Sequence, residues 1–312
     1  MLFKISEKKI FVAGHNGMVG RAICKKLQKE NCEILTVEKS NCDLRNQKEV
    51  NNWMMENKPE GVIICAAKVG GILANDSFPV DFLEDNLLIQ TNLIKSSYNV
   101  RVEKLLFLGS SCIYPKEIAQ PINENSLLTS SLEKTNEWYA IAKISGLKLC
   151  EAYRKQFGSD FISVMPTNLY GPGDNYDLDT SHVIPALIKK MHLAKLEQRK
   201  EVTIWGSGKP LREFMYVDDC AEGMIFLMNN YSEDSHINLG FGSEITILEL
   251  AKKIKEIVGF SGKIVFDRSK PDGIKRKLLN SKKINDLGWR PKIDLEEGLK
   301  KTYKDYKVSS KI

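Results

Sequence analysis

The residues best suited to chemistry lie in two short stretches, Gly109-Ser110-Ser111-Cys112-Ile113-Tyr114-Pro115 and Tyr139-Ala140-Ile141-Ala142-Lys143. The first follows the apolar run Leu105-Leu106-Phe107-Leu108, which reads as a buried parallel strand. Two hydroxyls and a thiol therefore stand where that strand ends, and open α/β sheets bind their ligands at the carboxyl ends of strands. The second stretch sits on a helical pattern in which residues four apart share a face, so the Tyr139 phenol and the Lys143 ammonium are neighbours. A nearby cation favours the phenolate, and the expectation is a phenol of lowered pKa, fit to donate or accept a proton near neutral pH. Tyr-x-x-x-Lys alone is common on helix surfaces; the Ser-Ser-Cys strand end before it gives the pair its meaning.

These side chains need a sheet to hold them, and it begins at the N-terminus. Lys9-Ile10-Phe11-Val12-Ala13 reads as a strand, followed by Gly14-His15-Asn16-Gly17-Met18-Val19-Gly20 and a helical pattern with Val19, Ile23 and Leu27 on one face. Strand, glycine turn and helix together form a dinucleotide-binding fingerprint. Gly14 permits the tight turn, Gly17 lets backbone amides approach a pyrophosphate, and Gly20 allows close helix–strand packing; the helix start adds free N–H groups and a favourable dipole. A second strand, Glu33–Val37, leads to Glu38-Lys39-Ser40, where an adenosine ribose is met. An acidic residue there favours a free 2′-hydroxyl and a basic one a 2′-phosphate; this chain has one of each, and Asp43-Leu44 stand near the adenine. The third strand, Gly61–Ala67, ends in Ala66 and Ala67, small enough for backbone to approach a cofactor, and Lys68–Ile72 reads as a flexible loop. With a helix from about 80 to 98, this alternation predicts a right-handed, doubly wound parallel sheet.

Beyond the Tyr139 helix, a strand at Phe161–Met165 runs into Pro166-Thr167-Asn168-Leu169-Tyr170-Gly171-Pro172-Gly173-Asp174-Asn175, a turn-rich loop expected to line the site. Ser181-His182 opens a helix carrying Val183, Leu187 and Met191, which puts an imidazole near the active edge. Val202–Trp205 reads as a strand, Gly206–Pro210 as a turn, and Arg212 beside it as a bidentate diphosphate ligand. Asp218 or Asp219 is expected to cap the helix that runs through Met228. A short strand, Ile237–Gly240, and helices near 246–258 and 294–306 complete the chain. The expected fold class is α/β: a doubly wound parallel Rossmann sheet over 1–170 plus about 214–241, with a smaller, mixed α/β substrate domain over about 171–213 plus 242–312.

Composition excludes several classes. A length of 312 residues with 42% hydrophobic and 28% charged residues fits a globular protein of one large or two modest domains. The seven cysteines form no Cys-x-x-Cys pair and only four histidines are scattered among them, which argues against a metal site and a disulfide framework. The net charge of +6 includes no basic block interleaved with aromatics; that excludes a nucleic-acid surface and suits a small anionic substrate such as a nucleotide diphosphate. No apolar run approaches the roughly 18–20 residues of a membrane span, and the first residues lack a signal peptide's apolar core, so a cytoplasmic location is expected.

The glycine turn, the Ser-Ser-Cys strand end and the Tyr-x-x-x-Lys helix together resemble the extended short-chain dehydrogenase/reductases. The stretches Ala66–Ile72, Leu106–Lys116, Thr135–Glu137, Met165–Pro172, Ser181–Leu187, Trp205–Asp219 and Ser269–Leu279 narrow the resemblance to the GDP-L-fucose synthase family, 3,5-epimerase/4-reductases of GDP-4-keto-6-deoxy-mannose. That resemblance implies that Tyr139 protonates the carbonyl oxygen at carbon 4, Lys143 lowers the tyrosine's pKa and holds the nicotinamide ribose, and Ser110 hydrogen-bonds the carbonyl. Cys112 and His182 would be the base and acid that invert carbons 3 and 5. It assigns the cofactor to Gly14, Asn16, Gly17, Met18, Val19, Gly20, Lys39, Asp43, Leu44, Ala66, Ala67, Pro166, Asn168, Leu169 and His182 beside the Tyr139–Lys143 pair. It assigns the GDP-linked 4-keto sugar to Val69, Gly70, Ser111, Cys112, Asn168, Lys190, Trp205, Arg212 and Lys277. It further implies NADP(H), through Lys39 at the 2′-phosphate, and a homodimer formed by helices of the dinucleotide domain. Asn16 replaces a basic residue and Glu38 opposes Lys39, so the preference for NADPH is expected to be modest. Gly173 and Trp138 stand where the family has His and Pro; drift or a differently shaped sugar accounts for them. The alternative is a 4-reductase without epimerase activity on a related substrate such as a GDP-4-keto-heptose. A cofactor-sensing or scaffolding role is disfavoured because Tyr139, Lys143 and Ser110 are all retained.

Overall fold

A run of apolar, β-branched residues buried on both faces belongs in the middle of a parallel sheet, and that is where the N-terminal strands lie. The computed structural model describes residues 2–269 and 272–310; Met1, Lys270, Pro271, Lys311 and Ile312 lie outside the described residues. In chain order the first part contains β1 (Lys9–Ala13), α1 (Met18–Leu27), β2 (Glu33–Leu35), α2 (Gln47–Asn57), β3 (Gly61–Ile64), α3 (Ile72–Ser77), α4 (Pro79–Asn99), β4 (Lys104–Leu108), α5 (Glu137–Phe157) and β5 (Phe161–Pro166). There follow β6 (Asn168–Tyr170), α6 (Val183–Leu196), β7 (Glu201–Trp205), β8 (Leu211–Tyr216), α7 (Val217–Asn230) and β9 (Ile237–Leu239). Last come β10 (Glu244–Thr246), α8 (Ile247–Val258), β11 (Lys263–Asp267), β12 (Arg276–Lys277), α9 (Lys282–Asp286) and α10 (Leu295–Ser309).

The large sheet is parallel throughout, in the order β2-β1-β3-β4-β5-β9. Strand order reverses between β1 and β3, so the turn after β1 and the end of β3 open onto one crevice, the place where such sheets take their ligands. Helices cover both faces. Ile23 and Leu27 of α1 and Met224 and Met228 of α7 pack on one side, and Met54, Leu93 and Leu147 of α2, α4 and α5 on the other. After β5 a single residue, Thr167, intervenes before β6, which joins a second sheet in which β8 is flanked by β6, β10 and β12. The remaining strands pair as β11 with β7, and a third core of Ile184, Leu187, Met191, Leu250, Ile254 and Tyr303 lies under them.

Three local expectations are corrected. The second strand ends at Leu35, not Val37, because β1 offers it partners only from Lys9 to Phe11. The segment read as a loop through Ile72 becomes α3 at that residue, anchored by the Gly71 N–H donating to the Thr180 carbonyl at 2.8 Å. Neither Asp218 nor Asp219 caps α7, because β8 runs straight into the helix and places both inside its first turn. Asp218 instead pairs with Lys25 of α1 at 3.0 Å, and Asp219 accepts the backbone N–H groups of Lys292 and Ile293 at 3.1 and 2.8 Å. Their charge still complements the helix dipole. Among the described residues no helix is long and apolar enough to cross a membrane.

The join of β1 to α1 leaves no room for a side chain. A Cβ at Gly20 would stand 2.1 Å from the Gly14 carbonyl oxygen, a backbone atom that cannot step aside. Gly20→Ala should therefore lower stability by about 1–3 kcal/mol, the range for overpacking, and do so despite alanine's better helix propensity. A shift of the urea midpoint to lower concentration at unchanged slope checks this.

Candidate active site

The glycine turn is built for an anion. Gly14 has φ +89°, a left-handed conformation that glycine adopts without strain, and a Cβ there would meet the Ala66 nitrogen at 2.6 Å. Helix α1 starts after Gly17 with no side-chain cap, so the N–H groups around Met18 and Val19 are left for a ligand. At Gly17 the space is open, with only the Gly14 oxygen at 3.5 Å. A cradle closed to Cβ at Gly14 and Gly20 and open at Gly17 fits the pyrophosphate of a dinucleotide.

After β2, where the sequence leads one to expect the ribose, the side chains are engaged with one another. Asn16 donates through Nδ2 to Glu38 at 2.9 Å, and the His15 ring nitrogen Nε2 lies 3.1 Å from the same carboxylate. Asp43 is gripped by Arg45, whose hydrogen bonds hold its carboxyl down at about 2, and Arg45 also reaches Asp85 at 3.1 Å. Lys39 is exposed and close enough to Asp43 to add to that lowering. The Leu44 carbonyl accepts from Asn92 at 3.0 Å, which ties this loop to α4.

The groups expected to react converge at the end of β4. Lys143 is 3% exposed; its ammonium donates to the Leu108 carbonyl at 2.8 Å and lies 4.9 Å from the centre of the Phe107 ring. One turn earlier on α5, Tyr139 hydrogen-bonds Ser110 and meets the Phe82 ring edge-on at 6.4 Å. The expected lowering of the phenol's pKa is not found. Desolvation raises it, the nearby Cys112 adds to the rise, and only the Ser110 hydrogen bond opposes. The reason is that burial falls on the lysine too: desolvation pushes Lys143 down to about 8, and its ammonium turns to Leu108, 5.8 Å from the tyrosine ring. Ser110 also accepts from the Cys112 N–H at 3.2 Å, whereas Ser111 is buried in the same short turn.

Cys112 has a partner the sequence did not reveal. Lys277, 7% exposed on β12, directs its ammonium at the Cys112 sulfur, 3.5 Å away. This is a donor placed to stabilise negative charge on the thiol. The parallel pairing of β12 with β8 puts Lys277 beside Arg212, whose guanidinium also feels Cys112. His182 holds the N-cap position of α6; desolvation and then the Lys277 ammonium lower its pKa. The residue is exposed overall, yet enough protein surrounds the imidazole for desolvation to lead that shift. Cys112 and His182 thus share Lys277 as a neighbour. Val69 and Gly70 lie on the loop before α3, with Gly70 against Phe82. Further out, Lys190 stands over the Trp205 ring at 5.2 Å. The Asp272 carboxylate pins the following turn by bonding the Ser207 N–H and hydroxyl at 2.6 and 2.8 Å, and the Asp272 carbonyl lies 3.5 Å from Arg212.

Two further residues escaped the sequence reading. Asp272 was one. The other is Glu213, wholly buried, whose carboxylate accepts from the Gly242 and Leu279 N–H groups at 2.7 and 3.0 Å. Its carbonyl takes the Thr167 hydroxyl and the Asn168 amide at 3.1 and 2.7 Å, which orients the strand carrying Asn168 and Leu169 just after Pro166. A carboxylate leading into the apolar run Phe214-Met215 of a strand was the available signal.

A glycine turn and a Ser–Tyr–Lys set on one parallel sheet define a nucleotide-dependent oxidoreductase, and the chain belongs to the NAD dependent epimerase/dehydratase family, whose profile matches residues 10–240. Within it, the chain is 56% identical over 305 residues to a GDP-L-fucose synthase of Sinorhizobium fredii, covering 98% of this chain and 97% of that protein. It superposes on a GDP-6-OMe-4-keto-L-xylo-heptose reductase from C. jejuni with a TM-score of 0.93 at 36% identity, covering 99% and 100% of the two chains. A GDP-L-fucose synthetase from Naegleria fowleri bound to NADP gives a TM-score of 0.90 at 30% identity, covering 99% and 97%.

The buried lysine makes a stability prediction with a definite sign. An unfolded lysine titrates near 10.4 and Lys143 near 8, so between these values the unfolded chain holds a proton the folded one lacks. Stability therefore rises with pH across that window, and below it the folded protein carries the cost of a buried cation. Lys143→Met should stabilise the dinucleotide-free protein at pH 7 by about 1–3 kcal/mol, less the lost Leu108 hydrogen bond. The gain should shrink toward pH 10; thermal melts at both pH values test it.

Proposed function

We propose that this protein converts GDP-4-keto-6-deoxy-mannose to GDP-L-fucose, inverting carbons 3 and 5 and reducing the ketone at carbon 4 with NADPH. The observation that carries this reading is the meeting of two chemistries at one sheet edge: Tyr139 bonded to Ser110, and the Cys112 thiol bonded to Lys277. The identity of 56% to a GDP-L-fucose synthase supports the substrate, and the NADP-bound relative supports the cofactor. The reductase-only alternative is not favoured, since the heptose reductase stands at 36%.

When bound, the reduced dinucleotide supplies the hydride that carbon 4 receives. Ser110 holds the ketone oxygen, and Tyr139, kept protonated by its raised pKa, donates to that oxygen. Lys143 braces the tyrosine's helix turn against β4 and would hold the nicotinamide ribose. The protons at carbons 3 and 5 are acidic because those carbons flank the ketone; Cys112 removes them and His182 returns protons to the opposite face. Lys277 steadies the thiolate as it forms, and Arg212, Lys190 and Trp205 take the GDP portion, with Val69, Gly70 and Asn168 around the sugar. The dinucleotide is assigned to 1–170 plus about 214–241 and the sugar nucleotide to the remainder. A cytoplasmic homodimer is part of the proposal; the exposed Leu88, Tyr98 and Phe157 on α4 and α5 support the pairing face.

Two measurements test this. Incubated with GDP-4-keto-6-deoxy-mannose in deuterated water without NADPH, the protein should take deuterium into carbons 3 and 5 by NMR, and Cys112→Ser should abolish the exchange. Absence of exchange in a wild-type protein that still oxidises NADPH with a 4-keto sugar would establish the reductase alone. Separately, Tyr139→Phe should slow NADPH oxidation by at least roughly 10²-fold, the scale of general acid catalysis, while dinucleotide binding persists by calorimetry.

A further inference from the structure

Helix α3 is packed inside out. Its sequence, Ile72-Leu73-Ala74-Asn75-Asp76-Ser77, buries Ala74 and Asn75 and leaves the large apolar Ile72 and Leu73 exposed. Val69 and Phe78, on either side, are exposed as well. A helix ordinarily turns its large apolar residues inward. The buried face is also poorly satisfied. The Asn75 amide donates to the Gly70 and Gly71 carbonyls at 2.8 and 3.0 Å, but its side-chain oxygen has no protein partner. The buried Ser181 hydroxyl, in the chain against which Gly71 packs, has none either. Polar groups left unpaired in this way weaken the seating of the segment.

The seat crosses the cleft. Gly70 lies against Phe82, whose ring meets that of Tyr139. The Gly71 N–H donates to the carbonyl of Thr180, close in the chain to His182, at 2.8 Å. The Ile72 δ-methyl stands 3.5 Å from the point where a Cβ on Gly273 would project, and the Arg212 guanidinium is equally close to that point. The segment thus touches immediate neighbours of the groups assigned to proton donation, epimerisation and the diphosphate. Gly70 and Gly71 precede the helix, and Phe78, at φ −126° and ψ 56°, separates it from α4. Both ends therefore offer non-helical residues about which it can turn.

We propose that residues 70–77 form a strap that lifts from Thr180 and Gly273 to admit the sugar nucleotide and reseats over it. This rests on the reading that the cleft takes a GDP-4-keto-6-deoxy sugar. A ligand shifts such an equilibrium only through contacts that differ between the two states. The seated strap brings Gly70, assigned to the sugar, and Ile72, beside Arg212, around one molecule, so a bound GDP-sugar favours the seat. In the empty protein, lifting exposes the Asn75 and Ser181 oxygens to water, which favours opening.

The test is hydrogen exchange read by mass spectrometry on the full chain with saturating NADPH, before and after addition of GDP-L-fucose, whose binding is checked by calorimetry. Before addition, the amides of 70–77 should exchange at least about tenfold faster than those of α4. GDP-L-fucose should slow them at least about tenfold. Gly71→Ala acts as a wedge: alanine accepts the backbone angle of −67°, but its Cβ would stand 2.6 Å from the Ser181 carbonyl oxygen. This variant should keep the segment fast-exchanging with ligand present and weaken GDP-L-fucose binding at least about tenfold, with NADPH binding unchanged. If it fails to fold, Ile72→Ala, which removes the contact with Gly273, should give the same changes in smaller measure. Exchange of 70–77 as slow as that of α4 before GDP-L-fucose is added overturns the proposal. So does exchange that stays unchanged while calorimetry shows GDP-L-fucose bound, or wild-type affinity in a folded Gly71→Ala. Each of these leaves the proposed function standing. Failure of GDP-L-fucose to bind overturns the proposed function and the strap with it.

Discussion

The hydrogen bond from the buried Lys143 ammonium to the Leu108 carbonyl is the constraint on which the site depends. It ties α5 to the last residue of β4, and so sets where one helix turn, carrying Tyr139, stands relative to Ser110 and Cys112 at the strand's end. A buried cation held by a carbonyl is costly, and the cost shows as a pKa pushed down to about 8. Gly146, further along the same helix, brings it close enough for that bond: a Cβ there would come within 2.5 Å of the Phe107 ring. The glycine and the lysine thus act together, one permitting the approach and the other fixing it.

A second buried charge does for the two sheets what Lys143 does for one. Glu213 sits in β8, and its carboxylate and carbonyl between them hold the chain at Thr167–Asn168, at Gly242 and at Leu279. These are the points where the chain leaves β5, follows β9 and follows β12. Backbone N–H donors offset the desolvation of the carboxylate, so the group works as a joint between sheets. Arg212 precedes it, and Lys277 lies two residues before one of its donors, so the same joint sets the distance from both cations to Cys112.

The electrostatics of the cleft follow from this assembly. Two side-chain pairs lie close together here, Tyr139 with Ser110 and Cys112 with Lys277. Desolvation raises the phenol and lowers the imidazole of His182, which separates the two as proton carriers. The tyrosine keeps its proton until a charge develops on an adjacent oxygen, and the histidine parts with its proton readily.

Local pattern alone determined the strands of the large sheet, the glycine turn and the pairing of Tyr139 with Lys143, because each rests on residues close in sequence obeying a period of two or 3.6. Gly14, Gly17 and Gly20 declared their turn for the same reason: backbone sterics act over a few residues. The reversal of the phenol's pKa was not legible, since desolvation depends on what packs around a group, and Phe82 and Cys112 come from other elements. The grip of Lys277 on Cys112 spans 165 residues, and the joint at Glu213 spans 66 to Leu279. The helix start at Val217, which turned Asp218 and Asp219 from caps into partners of Lys25 and of the Lys292–Ile293 backbone, was likewise decided by how β8 enters the second sheet. Such contacts depend on strand order and register, which bring distant side chains together, and no short-range periodicity records them.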